Sequence, residues 1–405
     1  MSVYLDSEVK QLEGVILHSP GKEVESMTPR GAEEVLFNDI MPGSVVSKEH
    51  KILKSFLGTV TSVYEIKDLF SEVLKDMEQR EVFLSSLRDV YGDAVLSLSD
   101  LPAGELADTV ITGILKKRNS LENFLSHDNY DIPPLPNLYF MRDGAAVFRN
   151  SVILGRMAHP VRRNEERVLQ AVFTGHPLLK EAHLIQPESG SIEGGDILSA
   201  GKNLLLIGIS ERTTPDAVDG VLKKILNRYD EPMKVIAVIL PKRRETIHLD
   251  MILTFVDEEI LLLYEPYFFG RHSLPVVLMN LVPGKEPAVR YAYSLSRALD
   301  ECGVSFSYVS CGGDLEIAKE REQWFAATNV FSFAPGKALA FEFNSATLDA
   351  FSRSGFDVRS VHDFLSGSDD PGSYRRLIVT LPGLELSRGG GGLRCMTLPF
   401  ARRNS

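Results

Sequence analysis

The sequence predicts an α/β protein built from repeated hairpin-and-helix modules set radially about an axis, a propeller, with one all-helical insert. Three observations carry this. Four segments align by eye as strand, tight turn, strand: FMRDGAAVFRNSVILG, SIEGGDILSAGKNLLLIGIS, IHLDMILTFVDEEILLLYEP and TNVFSFAPGKALAFEFN. Helix-like stretches such as PDAVDGVLKKILNRYD and YAYSLSRALDECG fall between them. A third texture, apolar residues at helical spacing without strand signals, runs from Asp68 to Asp131. Self-similar units at intervals of several dozen residues are the mark of a repeat architecture, not of a plain doubly wound sheet.

The elements follow in chain order. Residues 1–67 form the N-terminal part of the modular domain. Residues 68–131 are the helical insert, read from LFSEVLKDMEQREVFLSSLRDVYG and ELADTVITGILKKRN, with Met77, Phe83 and Tyr91 as packing positions. The insert closes at DIPPLPN, whose prolines cannot continue a helix. Residues 132–405 hold the remaining modules. Their turns are expected at Arg149-Asn150, Ala200-Gly201-Lys202, Asp257-Glu258-Glu259 and Pro335-Gly336-Lys337, residue types that reverse a chain between apolar runs.

At 405 residues and 44% hydrophobic composition, the chain can bury a large core. A net charge of −11, with acids and bases interspersed, argues against nucleic acid or an anionic membrane as partner and favours a small cationic substrate. The first residues, MSVYLDSEVK, lack a basic region followed by an apolar stretch, and no apolar run is long enough to span a bilayer. Three cysteines, Cys302, Cys311 and Cys395, do not make a disulfide framework. A reducing cytoplasm is expected.

In each hairpin, polar residues enter the first strand before the turn: Asp143, then Glu193 and Asp196, then His248 and Asp250. Such groups are costly in an apolar strand unless paired. His248 and Asp250, two apart, are expected to leave one face of a strand together. In a radial arrangement these groups converge with the SRGGGGLRC segment, whose glycines allow backbone to approach closely beside Cys395. A cysteine attacks as thiolate, with a neighbouring histidine as proton carrier. Carboxylates around a thiol raise its pKa and would hinder that chemistry, unless the substrate is itself a cation. A guanidinium is planar, permanently charged and forked, so paired aspartates grip it through bidentate bonds.

The motifs LPNLYFMRD, SIEGGD, GISERT, IHLDMILTFVD and LRCMTLPF, in this order, resemble arginine deiminases of the guanidine-modifying superfamily. VILHSPGKEVESMTP, EEVLFND and EREQW extend the resemblance over essentially the whole chain. It implies a five-module pseudo-symmetric α/β propeller with a helical insertion. It also implies hydrolysis of L-arginine to L-citrulline and ammonia without metal or organic cofactor. Cys395 would be the nucleophile, forming a covalent amidino-cysteine intermediate. His248 and Glu193 would move protons, and Asp143 and Asp250 would hold the guanidinium nitrogens. Asn137, Phe140, Leu36, Arg162 and Arg212 would contact the rest of the substrate. The partners implied are L-arginine and water, with a homo-oligomer expected.

Two positions depart from the pattern. Gly390 stands where many members carry an arginine five residues before the cysteine, with Arg388 nearby, and Phe343 replaces the arginine of a Tyr-x-Arg-Asn motif. Both bear on the grip on the substrate carboxylate. Competing readings are a hydrolase or amidinotransferase acting on agmatine or methylarginine, a zinc site of Cys395, His248, Asp250 and Glu193, and a non-catalytic arginine-binding protein.

Overall fold

The computed structural model describes residues 2–403 apart from Asn38, His127 and Arg271. The fold is mixed α/β. Five sheets repeat one order: an antiparallel hairpin, then a helix-containing connection, then a strand parallel to the second hairpin strand. Ala145–Phe148 and Ser151–Leu154 form such a hairpin, and His183–Ile185 joins it in parallel across the helix Arg163–Gly175. Ile197–Ser199, Leu204–Ile209 and Met233–Ile239 repeat the order, as do Leu253–Asp257, Ile260–Leu263 and Ser307–Ser310. So do Phe331–Ala334, Lys337–Phe341 and Leu377–Leu381. The fifth unit joins distant parts of the chain. Leu398–Arg402 runs antiparallel to Leu12–Leu17, which pairs in parallel with Ser62–Glu65 across the helix Gly43–Val60.

The expected turns separate the hairpin strands, and three of them need positive-φ backbone: Arg149 has φ of 55°, Gly201 of 142° and Gly336 of 69°. Second strands such as Ile260–Leu263 are buried throughout, because a parallel neighbour and helices leave neither face in water. The connecting helices are amphipathic. Pro215–Tyr229 starts with proline, where an N–H would have no partner, and buries Ala217, Val218, Val221, Leu222 and Ile225 along one face.

The segment 68–131 is dominated by helices, including Met77–Tyr91, whose Asp76 cap accepts from the amides of Glu78 and Gln79, and Ala103–Thr112. It is not wholly helical. Gly113 (φ 79°) ends a helix, and Ile114–Leu115 then pairs antiparallel with Tyr130–Ile132. Phe83 packs in the core as expected, whereas Met77, in the exposed first turn, does not. Among the described residues, no helix is long and apolar enough to cross a membrane.

Candidate active site

Each of the five sheets sends one or two polar or thiol-bearing positions into a common neighbourhood from the turn ahead of its first strand. Asp143 precedes Ala145–Phe148, Glu193 precedes Ile197–Ser199, His248 and Asp250 precede Leu253–Asp257, Asn329 precedes Phe331–Ala334, and Cys395 precedes Leu398–Arg402. The acids therefore do not sit within strands. In particular, His248 is extended (φ −137°) and Asp250 lies in a single 3₁₀ turn, Leu249–Met251, with all three residues of the turn buried. Asp196 causes this departure: its Oδ1 accepts the Leu249 amide at 2.8 Å and its Oδ2 accepts the Ser210 hydroxyl at 2.7 Å. A side-chain acceptor for the first amides of the turn competes with a ladder bond.

His248 Nε2 lies 2.9 Å from Glu193 Oε2, and Nδ1 lies 3.6 Å from Asp143 Oδ1. The ring rests on Gly195, where an added Cβ would come within 2.6 Å of the imidazole. Cys395 Sγ is 3.8 Å from Asp250 Oδ2, and its amide donates to Asn329 Oδ1 at 2.9 Å. The same Asn329 donates through Nδ2 to the Asp250 carbonyl at 3.2 Å, so one amide side chain fixes thiol and acid together. Each aspartate has one oxygen anchored by an arginine: Asp143 Oδ2 by Arg162 at 2.7 Å, Asp250 Oδ2 by Arg394 at 2.7 Å. The other oxygen of each, Asp143 Oδ1 and Asp250 Oδ1, is buried without a hydrogen bond among the described residues, as is His248 Nδ1. Orphaned buried acceptors are rare enough to require a reason.

Burial works against a charged imidazole, but the Asp143 and Glu193 carboxylates outweigh it and raise His248 to about 9. Burial likewise opposes ionised Glu193, yet the His248 bond, with Arg212 and Arg162 nearby, brings it down to about 2. The two form an ion pair. Burial first, then the Asp250 and Asp143 carboxylates, push the Cys395 thiol well above its ordinary value. Burial alone carries Asp196 up to about 7.

Asp143, His248 and Cys395 line a cavity of about 240 Å³, together with Leu36, Asn137, Phe140, Arg162, Arg212 and Arg244. Glu193 and Asp250 lie behind that lining, in contact with His248 and Cys395. Asn137 donates through Nδ2 to the Val35 carbonyl at 2.8 Å, tying the Leu36 loop to the cavity wall. Arg162 lines the cavity and makes four hydrogen bonds, to Glu165, Asp143 and the Asn137 carbonyl. Arg212 is less occupied, with Nη1 3.5 Å from Glu193 Oε2 and Nε 3.4 Å from Glu211. Phe343 is outside the lining, stacked on Phe341 at 5.2 Å between ring centres.

The glycine run is packed between aromatic rings and the thiol. A Cβ at Gly389 would overlap the Tyr139 hydroxyl, one at Gly391 would meet Phe140 at 2.5 Å and Cys395 Cβ at 3.2 Å, and one at Gly392 would meet Asn329 at 2.6 Å. Only backbone fits there. Sequence reasoning missed Asn329, although TNVFSF puts it in the same place as the acids of the other hairpins. It also missed Arg394, whose guanidinium bridges Asp250 to Glu8 at 3.1 Å and donates to the Ile197 carbonyl at 2.9 Å.

Asp143, Glu193 and His248 offer donor atoms within 4.8 Å of one another, a spacing a cation accepts. Their chemistry does not suit one. The guanidinia of Arg162 and Arg212 already stand 3.8 and 3.5 Å from Glu193, and Arg162 holds Asp143 Oδ2 at 2.7 Å, so two fixed cations occupy the carboxylates a metal would need.

A family model described as arginine deiminase matches residues 105–402. An arginine deiminase of Listeria monocytogenes serovar 1/2a is 30% identical over 423 residues, spanning 99% of this chain and 98% of the relative. One from Bacillus cereus is 29% identical over 425 residues, spanning 99% of both. Among solved structures, a DDAH from Pseudomonas aeruginosa, a cysteine-to-serine mutant complexed with citrulline, superimposes with a TM-score of 0.52 at 14% identity, covering 96% of this chain and 100% of that one. The N-terminal domain of ArgZ, covalently bound to a reaction intermediate, gives a TM-score of 0.54 at 15% identity, with 96% and 98% covered. At such identities the structural likeness concerns the fold.

Proposed function

The chain belongs to the arginine deiminase family, and on that premise we propose that it hydrolyses L-arginine to L-citrulline and ammonia through an amidino-cysteine intermediate on Cys395. The observation that carries this reading is the trio of orphaned buried atoms beside the thiol, Asp143 Oδ1, Asp250 Oδ1 and His248 Nδ1. Two carboxylate oxygens without donors suit a ligand that is all donor and no acceptor, which describes a guanidinium.

Binding of the cation offsets the negative charge that holds the thiol protonated, so Cys395 ionises and its proton leaves to solvent. The thiolate attacks the guanidinium carbon, and the C–N π electrons move onto nitrogen. His248, protonated through its pairing with Glu193, gives its proton to the departing nitrogen. The C–N bond breaks, ammonia leaves, and the amidino group remains on sulfur. The now neutral imidazole takes a proton from water as that water attacks the same carbon. The C–S bond breaks, thiolate is regenerated, and the attacking oxygen gives up its remaining proton to solvent, leaving citrulline. Citrulline is uncharged at its ureido end, so the aspartates lose their partner and release is favoured. Leu36, Asn137, Phe140, Arg162 and Arg212 contact the rest of the substrate.

The five sheets form the modules of a pseudo-symmetric propeller, with 1–67 and 132–405 as its blades and 68–131 as the insert. The protein acts in the cytoplasm as a homo-oligomer, with neither nucleic acid nor membrane as partner. The decisive assay is citrulline formation from arginine, agmatine and methylarginines without added metal, with mass spectrometry of Cys395 after a quenched reaction. Citrulline from arginine together with a thiol adduct is the expected result. No citrulline and no adduct would remove the proposal.

A further inference from the structure

A second cluster of charge lies outside the cavity. Arg142 and Arg394 immediately precede Asp143 and Cys395, yet neither arginine belongs to the cavity lining, and they are only 1% and 2% exposed. With them stand Arg402, 2% exposed, and Glu8. Glu8 is delivered by the N-terminal segment, which bridges Tyr4 to Ala401, Leu5 to Arg149 and Ser7 to Ala200 and so touches three of the five repeated units. We infer that the guanidinia of Arg142, Arg394 and Arg402 around Glu8 hold one small monovalent anion of the halide class, with Arg142 as its principal donor.

Three observations carry this. First, the charges do not balance. Arg394 bridges Glu8 and Asp250 at 3.1 and 2.7 Å, Arg142 Nη1 lies 3.9 Å from Glu8, and Arg402 donates from its Nη groups to the Lys10 and Ser332 carbonyls. Three permanent cations thus share two carboxylates, and a buried charge is costly until it is neutralised.

Second, the unused positions are of one kind. Nε and Nη2 of Arg142, Nε of Arg402 and Oγ of Ser199 are buried without a hydrogen bond among the described residues. Ser199 adjoins Glu8, giving its amide to Oε1 at 3.4 Å and accepting the Glu8 amide at 3.1 Å. Each of the four atoms carries a hydrogen to donate, so the partner they call for is an acceptor. A water supplies an acceptor alone, whereas an anion supplies the acceptor and the charge. The excess is a single charge among side chains closed from solvent, which suits a halide better than a polyatomic oxyanion.

Third, the ionisation of the cluster reports the same excess. Burial opposes the Glu8 carboxylate, yet Arg394, Arg142 and Arg402 together bring it down to about 2. Burial and then Arg394 push Arg142 down to about 9 against the pull of Glu8 and Asp250, and burial takes Arg402 down to about 10. Arg142 also gives its backbone amide to the Cys395 carbonyl at 2.9 Å, and Arg394 anchors Asp250, so the ion steadies the groups behind thiol and acid without touching the substrate.

Crystals of the whole protein grown from sodium bromide test this directly. A bromine anomalous peak in contact with Arg142 is expected. A second measurement is thermal unfolding at fixed ionic strength, with sodium gluconate, whose anion is too large for a closed site, replaced by sodium chloride. The wild-type midpoint should rise by about 2–5 °C. Arg142→Met leaves two guanidinia for two carboxylates, so its midpoint in gluconate should be no lower than that of the wild type, and the gain from chloride should shrink below about 1 °C. An arginine of structural value only would instead lose stability equally in both salts and leave the chloride gain intact. No bromine at Arg142, or equal wild-type midpoints in the two salts, would overturn the proposal, and the crystal decides even where Arg142→Met does not fold. Neither measurement involves citrulline formation, so failure of the deiminase reading would leave the anion site standing.

Discussion

Cys395 Sγ stands 3.8 Å from Asp250 Oδ2, so the proposed nucleophile faces a group of the same sign as its own thiolate form. Such a thiol is quiet until a cation arrives. Burial and the two aspartates raise its pKa, so alkylation by iodoacetamide should be slow at neutral pH and accelerate into the alkaline range. A non-reactive guanidinium compound held between the acids should shift the profile to lower pH, as should Asp250→Asn. A profile indifferent to both would refute substrate-assisted ionisation.

The ion pair of His248 and Glu193 has a definite pH signature. His248 is raised from 6.5 to about 9, so its stabilising contribution is complete below 6.5 and lost as pH climbs through about 9. Glu193 is lowered from 4.5 to about 2, so its contribution is present above 4.5 and lost as pH falls through about 2. Replacing Glu193 by Gln should move the imidazole midpoint down toward 6.5 in an NMR titration. A midpoint that stays at 9 would assign the whole effect to Asp143.

Gly195 is the floor under the His248 imidazole, the proton carrier of the proposed reaction. Gly195→Ala would press a methyl to within 2.6 Å of the ring, which must then tilt. Overpacking of this kind costs about 1–3 kcal/mol in stability. The larger effect should be on kcat, lowered by at least about 10-fold by misplacement of the proton carrier, with KM changing less. Wild-type kcat in this variant would mean that the ring position is not critical.

Arg394 neutralises two buried acids at once, Glu8 and Asp250. Arg394→Met removes the partner of Asp250 and the nearer partner of Glu8, which keeps Arg142 at 3.9 Å, and stranding buried charge costs about 3–5 kcal/mol. Urea denaturation should show this loss, and Glu8→Gln in the same chain should recover part of it. An unchanged midpoint in the single variant would show that water reaches the network.

The chain discloses its modules and most of its chemistry through local pattern. Turn residues between apolar runs marked the hairpins, and acid, acid, histidine and thiol recurred at one relative place. The conformation of the His248 segment was less legible, because spacing of two fits an alternating strand as well as a 3₁₀ turn capped from elsewhere. The cap is Asp196, 53 positions away. Asn329 carried a positional signal, but asparagine is so ordinary a turn residue that its type added nothing. Arg394 was unreadable for another reason: its partner Glu8 is 386 positions distant, and no local period encodes such a pairing. The commitment of Arg162 to Glu165 was the opposite case, a local i, i+3 pair whose consequence depended on where Asp143 would fall.

The closure of Leu398–Arg402 onto Leu12–Leu17 imposes an order of events on a chain emerging from the ribosome. The acids and the imidazole come first, and sulfur follows Asp250 by 145 positions. The same closing segment brings Arg394 to Asp250, so the aspartate receives its anchor and the thiol its place in a single late step.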